Sequence, residues 1–373
     1  MSTRTAQQVR SCLAVIAAAT AALRTGFSPA TAQALSPAGP LRAALPRRCR
    51  ALVAVTALAL PLATVAAASA SPAPTPSYQV IATIPVGDCP VGLDANPVTG
   101  RVYVADVCDN IVSVINGRTN AVTTTIPADN RPFAVAVNPL TNTVYVANFS
   151  FPEGTTSVLN GRTNTITATV PGGHSPYAAA VNPLTNTVYV VNDVDGTVSV
   201  INGRTNQVTA TIPAGGGGYG VAVDPLTDTI YVSNVGNNTV TVINGRTNQV
   251  TATIPVGSEP YGLAVDPATN KVYVTNSFPD NTVSVINGRT NKVTATIGVG
   301  GYPWQVAVNP LTNTAFVANS DDNTVSVISG RTNKVTATIG VGNTPYGMAV
   351  NPATGRLYVT NGGDATVSVI APH

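Results

Sequence analysis

From residue 78 onward the chain consists of short runs in which apolar and polar residues alternate, separated by turn-forming residues. Residues 261–265 (YGLAV), 271–275 (KVYVT), 282–286 (TVSVI) and 293–297 (VTATI) show the pattern, and its period of two predicts half-buried strands. The first two runs are joined by Asp266-Pro267-Ala268-Thr269-Asn270, where Pro sets φ and Asn tolerates the left-handed conformation that ends a turn. The last two are joined by Asn287-Gly288-Arg289-Thr290-Asn291, and Asn-Gly is a strong hairpin signal. No segment after residue 78 carries a 3.6-residue period, which excludes a parallel α/β fold. Residues 261–265 have one bulky face and one face of Gly and Ala, as an innermost strand crowded by its neighbours requires. Residues 293–297 alternate apolar residues with Thr, as an outer strand with one wet face does.

This unit recurs. Tyr-Val-x-Asn stands at 145–148, 189–192, 231–234, 273–276 and 358–361, with variants at 103–106 and 316–319. Successive copies are 42, 44, 42, 42, 43 and 42 residues apart. Seven copies at that period predict an all-β, seven-bladed β-propeller with four antiparallel strands per blade. The repeat is permuted at its ends: residues 80–84 (VIATI) read as an outer strand before any inner one, and 367–370 (VSVI) as a third strand with no fourth after it. The prediction is that the N-terminal outer strand joins the last blade and closes the ring, removing open sheet edges.

The Tyr-Val-x-Asn core, the Asn-Gly-Arg-Thr-Asn turn and the Asn-Pro-x-Thr turn resemble the YVTN-repeat β-propeller family, which includes YncE-like and archaeal surface-layer proteins. The resemblance covers residues 78–373 and speaks to fold more than to function. The wider superfamily also holds seven-bladed lactonases and quinoprotein or haem-d1 enzymes, whose catalytic motifs are not evident here. The first blade departs most, with Asp106 for Asn and Val91 where an aromatic is usual.

Composition changes the picture at the N-terminus. Charged residues are 9% of the chain, well under the usual quarter. The formal charge of +3 misleads: all 16 acids follow residue 70, as do only 12 of the 19 Lys and Arg. Arg47, Arg48 and Arg50, the apolar run 51–67 and Ala68-Ser69-Ala70 read as a signal peptide cleaved near Ala70. An uncleaved anchor is disfavoured, because the run is short and broken by Pro61. The expected organisation is a leader (1–70), a Pro-rich linker (71–77) and a propeller (78–373). The protein is expected to be secreted or displayed at the cell surface, with no transmembrane segment in the mature chain. Because the basic excess lies in the leader, nucleic acid is a disfavoured partner.

Candidate chemistry is sparse. If the strands flanking residues 96–100 pair so that Ala95 faces Val102, then Cys89 and Cys108 sit opposite each other, and an oxidising compartment predicts a disulfide. The two His are His174, in a loop, and His373; no haem-attachment, nucleophile-elbow or metal-spaced motif is present, and no cofactor or metal is expected. Asp193, Asp195, Asp321 and Asp322 read as solvated loop acids rather than calcium ligands. The candidate ligand-binding residues are the aromatics that open the inner strands: Phe133, Tyr177, Tyr219, Tyr261, Trp304 and Tyr346, with Val91 in blade 1. These positions converge on one mouth of the central channel, either as wedges packed between blades or as a platform for a sugar or peptide. Arg131, His174, Glu259 and Gln305 break the symmetry of that face and are secondary candidates. Acidic loops lie on the mouth side. The other face gathers Arg118, Arg162, Arg204, Arg246, Arg289 and Arg331 from the turns, with Lys271 and Arg356. One Arg per identical turn most simply bonds local carbonyls or the next blade; an anionic wall polymer is the alternative. The functional expectation is a monomeric, non-catalytic binding or scaffold propeller engaging a protein, peptide or cell-wall glycan. The competing reading is an enzyme, such as a lactonase or oxidoreductase, acting at the channel mouth.

Overall fold

The computed structural model describes residues 77–373; the expected signal peptide, and the linker up to residue 76, lie outside the described residues. Twenty-eight strands form seven four-stranded antiparallel sheets, with one 3-10 turn at Val235–Asn237. Blades 1 to 6 occupy residues 90–127, 132–171, 176–213, 218–255, 260–298 and 303–340 in simple up-and-down order. Blade 7 takes its first three strands from 345–372 and its outer strand, Tyr78–Pro85, from the N-terminal end of the propeller. Val80 faces Ile370 and Ile84 faces Val367, so the expected closure is present.

The core lies between blades. Each sheet buries both faces of its second and third strands, and Tyr103, Tyr145, Tyr189, Tyr231, Tyr273, Phe316 and Tyr358 are all at most 1% exposed. These rings explain why two motifs travel together. Tyr103, Tyr145, Tyr189, Tyr231 and Tyr358 each point the hydroxyl at the Gly of the next blade's Asn-Gly-Arg turn. A Cβ on Gly288, for example, would stand 2.7 Å from the Tyr231 hydroxyl oxygen and collide with the Asn270 side chain. Gly288→Ala is therefore expected to destabilise the propeller by about 1–2 kcal/mol through overpacking, read as a lowered urea midpoint.

The motif Asn is buried too. Its Nδ2 donates to two hydroxyls on the third strand, as Asn192 does to Thr197 (3.1 Å) and Ser199 (2.9 Å). At the turns, the closing Asn adopts φ between 49° and 56° (Asn120, Asn142, Asn270, Asn281 and their equivalents), as the turn chemistry predicts.

One irregularity positions the functional face. In the six blades 1 to 6 and in blade 7 alike, the first strand opens with a residue pairing the end of the second strand and then slips register: Pro132 pairs Asn148, but Ala134 pairs Ala147. The strand-opening aromatic falls in that slip, outside the ladder. A bulge re-aims its residue, and here the residue turns toward the channel mouth.

Candidate aromatic mouth

The slip brings the six strand-opening aromatics into a continuous arc. Ring centroids are 4.4 Å apart for Phe133–Tyr177 and Tyr177–Tyr219, 5.1 Å for Tyr219–Tyr261, 4.5 Å for Tyr261–Trp304 and 5.1 Å for Trp304–Tyr346. Tyr261 and Trp304 are stacked, and Tyr219–Tyr261 is edge-on. All six are half-buried. Wedge and platform thus describe the same rings: each packs on a neighbouring blade's ring while staying half-buried. Burial, reinforced by neighbouring phenols and by Asp193 or Glu259, raises the hydroxyl pKa of Tyr177, Tyr219 and Tyr261, and burial raises that of Tyr346. The mouth therefore offers neutral O–H groups and π faces.

The arc is open at blade 1. Where the other blades supply a ring, Val91 leaves a cavity of about 360 Å³ walled by Phe133, Tyr177, Trp304, Tyr346, Val107 and Cys89. Cys89 is bonded to Cys108, Cα to Cα 5.5 Å. The expected pairing of Ala95 with Val102 holds, but the register slips between Pro90 and Leu93, so the cysteines meet beyond the ladder rather than within it. Cys89 takes φ +55°, and its carbonyl accepts the Val107 N–H. Below the arc lies a narrower cavity of about 100 Å³, lined by the small residues Gly92, Ala134, Ala178, Gly220 and Gly262 and by Gln305. Gln305 reaches across to Gly262, where a Cβ would strike its Oε1.

The secondary candidates are distributed round this mouth. Arg131 places its guanidinium 4.9 Å from the Phe149 ring centre. Phe149 in turn packs on Phe133 and Tyr177. Glu259 is half-buried, near enough to Tyr219 and Tyr261 to disfavour their phenolates. His174 is not part of the arc: its Nδ1 sits 2.6 Å from Asp195 Oδ1, and its aromatic neighbour is Phe151. The His174 backbone N–H and then its ring lower the Asp195 pKa.

Asp195, Asp321 and Asp322 are exposed and Asp193 is half-buried, and several mouth acids also bind their own loops. Asp109, Asp195, Asp280, Asp322 and Asp364 each accept a backbone N–H from the loop entering their own blade, at 2.7–2.8 Å. No group of three His, Cys, Asp or Glu close enough to hold a metal occurs among the described residues.

Sequence reasoning missed three features. Phe149 and Tyr302 extend the arc, Tyr302 stacking on Trp304 and meeting the Tyr261 hydroxyl at 3.2 Å. Tyr302 stands immediately before Pro303, a position held elsewhere by Arg131, Ser175, Glu259 and Thr344, and that alignment marks it. Asp94 pairs Tyr103 where the other six blades place Ala136, Ala180, Ala222, Ala264, Ala307 and Ala349. It accepts the N–H of Val137 in blade 2 at 2.8 Å and of Ala95 at 2.7 Å. Burial pushes its carboxyl up to about 6 against those hydrogen bonds.

Comparison with known proteins agrees with the fold. The YNCE-like beta-propeller family pattern matches residues 179–277, from the first strand of blade 3 past the second strand of blade 5, and the expected resemblance to that family is upheld. No curated protein matches the chain significantly. Among solved structures, hydrazine synthase of Kuenenia stuttgartiensis superposes with a TM-score of 0.66 at 17% identity, covering 75% of this chain and 95% of that one. At that identity the likeness is one of fold, which does not carry function.

Proposed function

We propose that the chain is a non-catalytic, extracytoplasmic binding or scaffold propeller that takes a protein, peptide or cell-wall glycan at its aromatic mouth. One observation carries this reading: a nearly closed arc of aromatic rings with a single opening, where Val91 and the Cys89–Cys108 bridge leave room for a group of about 360 Å³. That volume suits one sugar ring or one bulky side chain, and half-buried aromatics suit both. Symmetric packing needs no gap; a ligand site needs a break in the symmetry. The disulfide supports an oxidising compartment, and no helix of the described residues is long and apolar enough to cross a membrane.

The test is a glycan and peptide binding screen with two variants. Trp304→Ala removes a stacking wall and should weaken binding at least about tenfold, the scale of one aromatic anchor. Val91→Tyr adds the missing ring, fills the opening and should abolish binding while leaving every existing contact in place. Unchanged affinity in both variants refutes the mouth as the site.

A further inference from the structure

The end of the propeller away from the mouth carries features that the reading above leaves unused. Antiparallel order puts the turn between first and second strands and the turn between third and fourth strands at this same end. All of these turns have one length: strand end and next strand start are five residues apart at every one, from Asn96 to Arg101 through Asn351 to Arg356, and from Asn116 to Ala121 through Ser329 to Lys334. Equal turns on a closed ring make a level annulus, whereas the mouth-side loops vary in length.

Two concentric rings stand on that annulus. The inner turns project Val98, Leu140, Leu184, Leu226 and Leu311, which are 40% to 73% exposed. Turn tips ordinarily carry Gly, Asn, Asp or Ser, so turn chemistry does not call for a repeated exposed aliphatic there. The outer turns project Arg118, Arg162, Arg204, Arg246, Arg289 and Arg331, all exposed.

The structure corrects the expectation that these arginines bond carbonyls of the next blade. That role belongs to Arg101, Lys271 and Arg356, which reach the turn carbonyls of Gly161, Gly330 and Gly117. The six turn guanidiniums donate no hydrogen bond to a described residue, and among the described residues no Lys or Arg stands within salt-bridge distance of a carboxylate. Eleven of the twelve Lys and Arg of residues 78–373 sit at the turn end, Arg131 being the exception. The acids there are Asp94, Asp224, Asp228 and Asp266, every one buried or half-buried.

A flat face with an aliphatic centre and a rim of unpaired guanidiniums matches one surface: the geometry points to seating of this face on an anionic phospholipid bilayer, mouth outward. The aliphatic tips enter the headgroup boundary and the arginines meet lipid phosphates, two contributions that together give peripheral attachment. A soluble polyanion would satisfy the arginines but leave five aliphatic tips in water. A second copy stacked mouth-on-base would meet the arginines with exposed mouth acids but set the aliphatic tips against those same polar loops. The inference stands independently of what the mouth binds.

The experiment is flotation of the exported protein with vesicles of phosphatidylcholine alone or mixed with phosphatidylglycerol, at low and high salt. Binding is expected only to the anionic vesicles and should fall steeply with salt. Arg118→Ser, Arg204→Ser and Arg289→Ser combined should weaken it on the order of a hundredfold, at roughly one kcal/mol per arginine near the surface. Leu140→Asn, Leu226→Asn and Leu311→Asn combined should also weaken it several-fold, with circular dichroism and thermal midpoint unchanged for both sets. Orientation is read by brominated-lipid quenching. The single tryptophan, Trp304, is at the mouth and should remain unquenched, while Leu226→Trp adds an indole that should be quenched. Quenching of Trp304, a leucine set that leaves vesicle binding intact, equal affinity for soluble polyphosphate, salt-sensitive self-association without vesicle binding, or no vesicle binding at all would each overturn the inference.

Discussion

Removing Tyr78–Pro85 is expected to abolish cooperative folding of the propeller. This strand pairs along its whole length with Thr366–Pro372, the outer edge of blade 7, with one bulge at Ile81. Its Ile84 is 2% exposed among Val102, Ile115, Val367 and Val369, and Tyr78 packs edge-on against Phe316 of blade 6 at 5.2 Å. The strand therefore fastens blade 7 to both neighbours. Truncating Ile84 alone, as Ile84→Ala, should cost about 2–5 kcal/mol by the usual price of a buried aliphatic. Losing the whole strand should approach the roughly 5–15 kcal/mol total stability of a domain and bare a sheet edge that invites association. Urea unfolding followed by circular dichroism, with sedimentation to detect aggregates, reads both outcomes. Ile81→Thr in the same strand is the control: its side chain is 41% exposed, and a shift within about 0.5 kcal/mol is expected. A truncated chain that unfolds at the wild-type midpoint would mean that the closing strand contributes nothing to stability.

The second large effect has the opposite sign. Asp106→Asn should stabilise the propeller near neutral pH by up to about 3 kcal/mol. Asp106 is fully buried where six other blades place the motif Asn. It accepts the Ser113 hydroxyl at 2.6 Å, but its Oδ1 has no partner among the described residues. Burial pushes its carboxyl up to about 6, and nearby Asp109 adds to the rise; the Ser113 hydrogen bond opposes it. The folded pKa thus lies above the ordinary 3.8, so the native state holds this proton more tightly than the unfolded chain. Its stabilising contribution is complete below about pH 4 and is lost as pH rises through about 6. Asn is neutral and restores an N–H donor toward Ser113. Urea midpoints should separate wild type from variant at about pH 7.5 and converge near pH 4. Asp94, also raised to about 6, leaves part of the slope in the variant. Equal midpoints across the whole range would contradict a buried carboxylate with an unpartnered oxygen in blade 1.

Both predictions rest on departures from the repeat, and the repeat shows what was readable beforehand. Strands, turns, blade number and even the seam follow from alternation, from Pro and Asn at fixed turn positions and from the order of strand types at the two ends. Each of these is decided within a few residues or by counting periods, so local chemistry suffices. The motif Tyr also announces a buried ring, and the Asn-Gly turn a hairpin; that the Gly exists to admit the preceding blade's Tyr hydroxyl does not follow from either motif alone.

What the tertiary structure decided lies between blades. The register slip that swings Phe133, Tyr177, Tyr219, Tyr261, Trp304 and Tyr346 into one arc is set by how the inner strands converge on the axis. Val91 is merely a missing aromatic in the sequence; the gap it leaves becomes a cavity only because Phe133 and Tyr346, far from it and from each other in the chain, stand one blade away on either side in space. The same holds for charge. Nine bases look alike along the chain, yet Arg101, Lys271 and Arg356 find carbonyls on the following blade while the six turn arginines face solvent. Whether a side chain meets a partner depends on the rotation from one sheet to the next, a long-range geometry that a two-residue period does not encode.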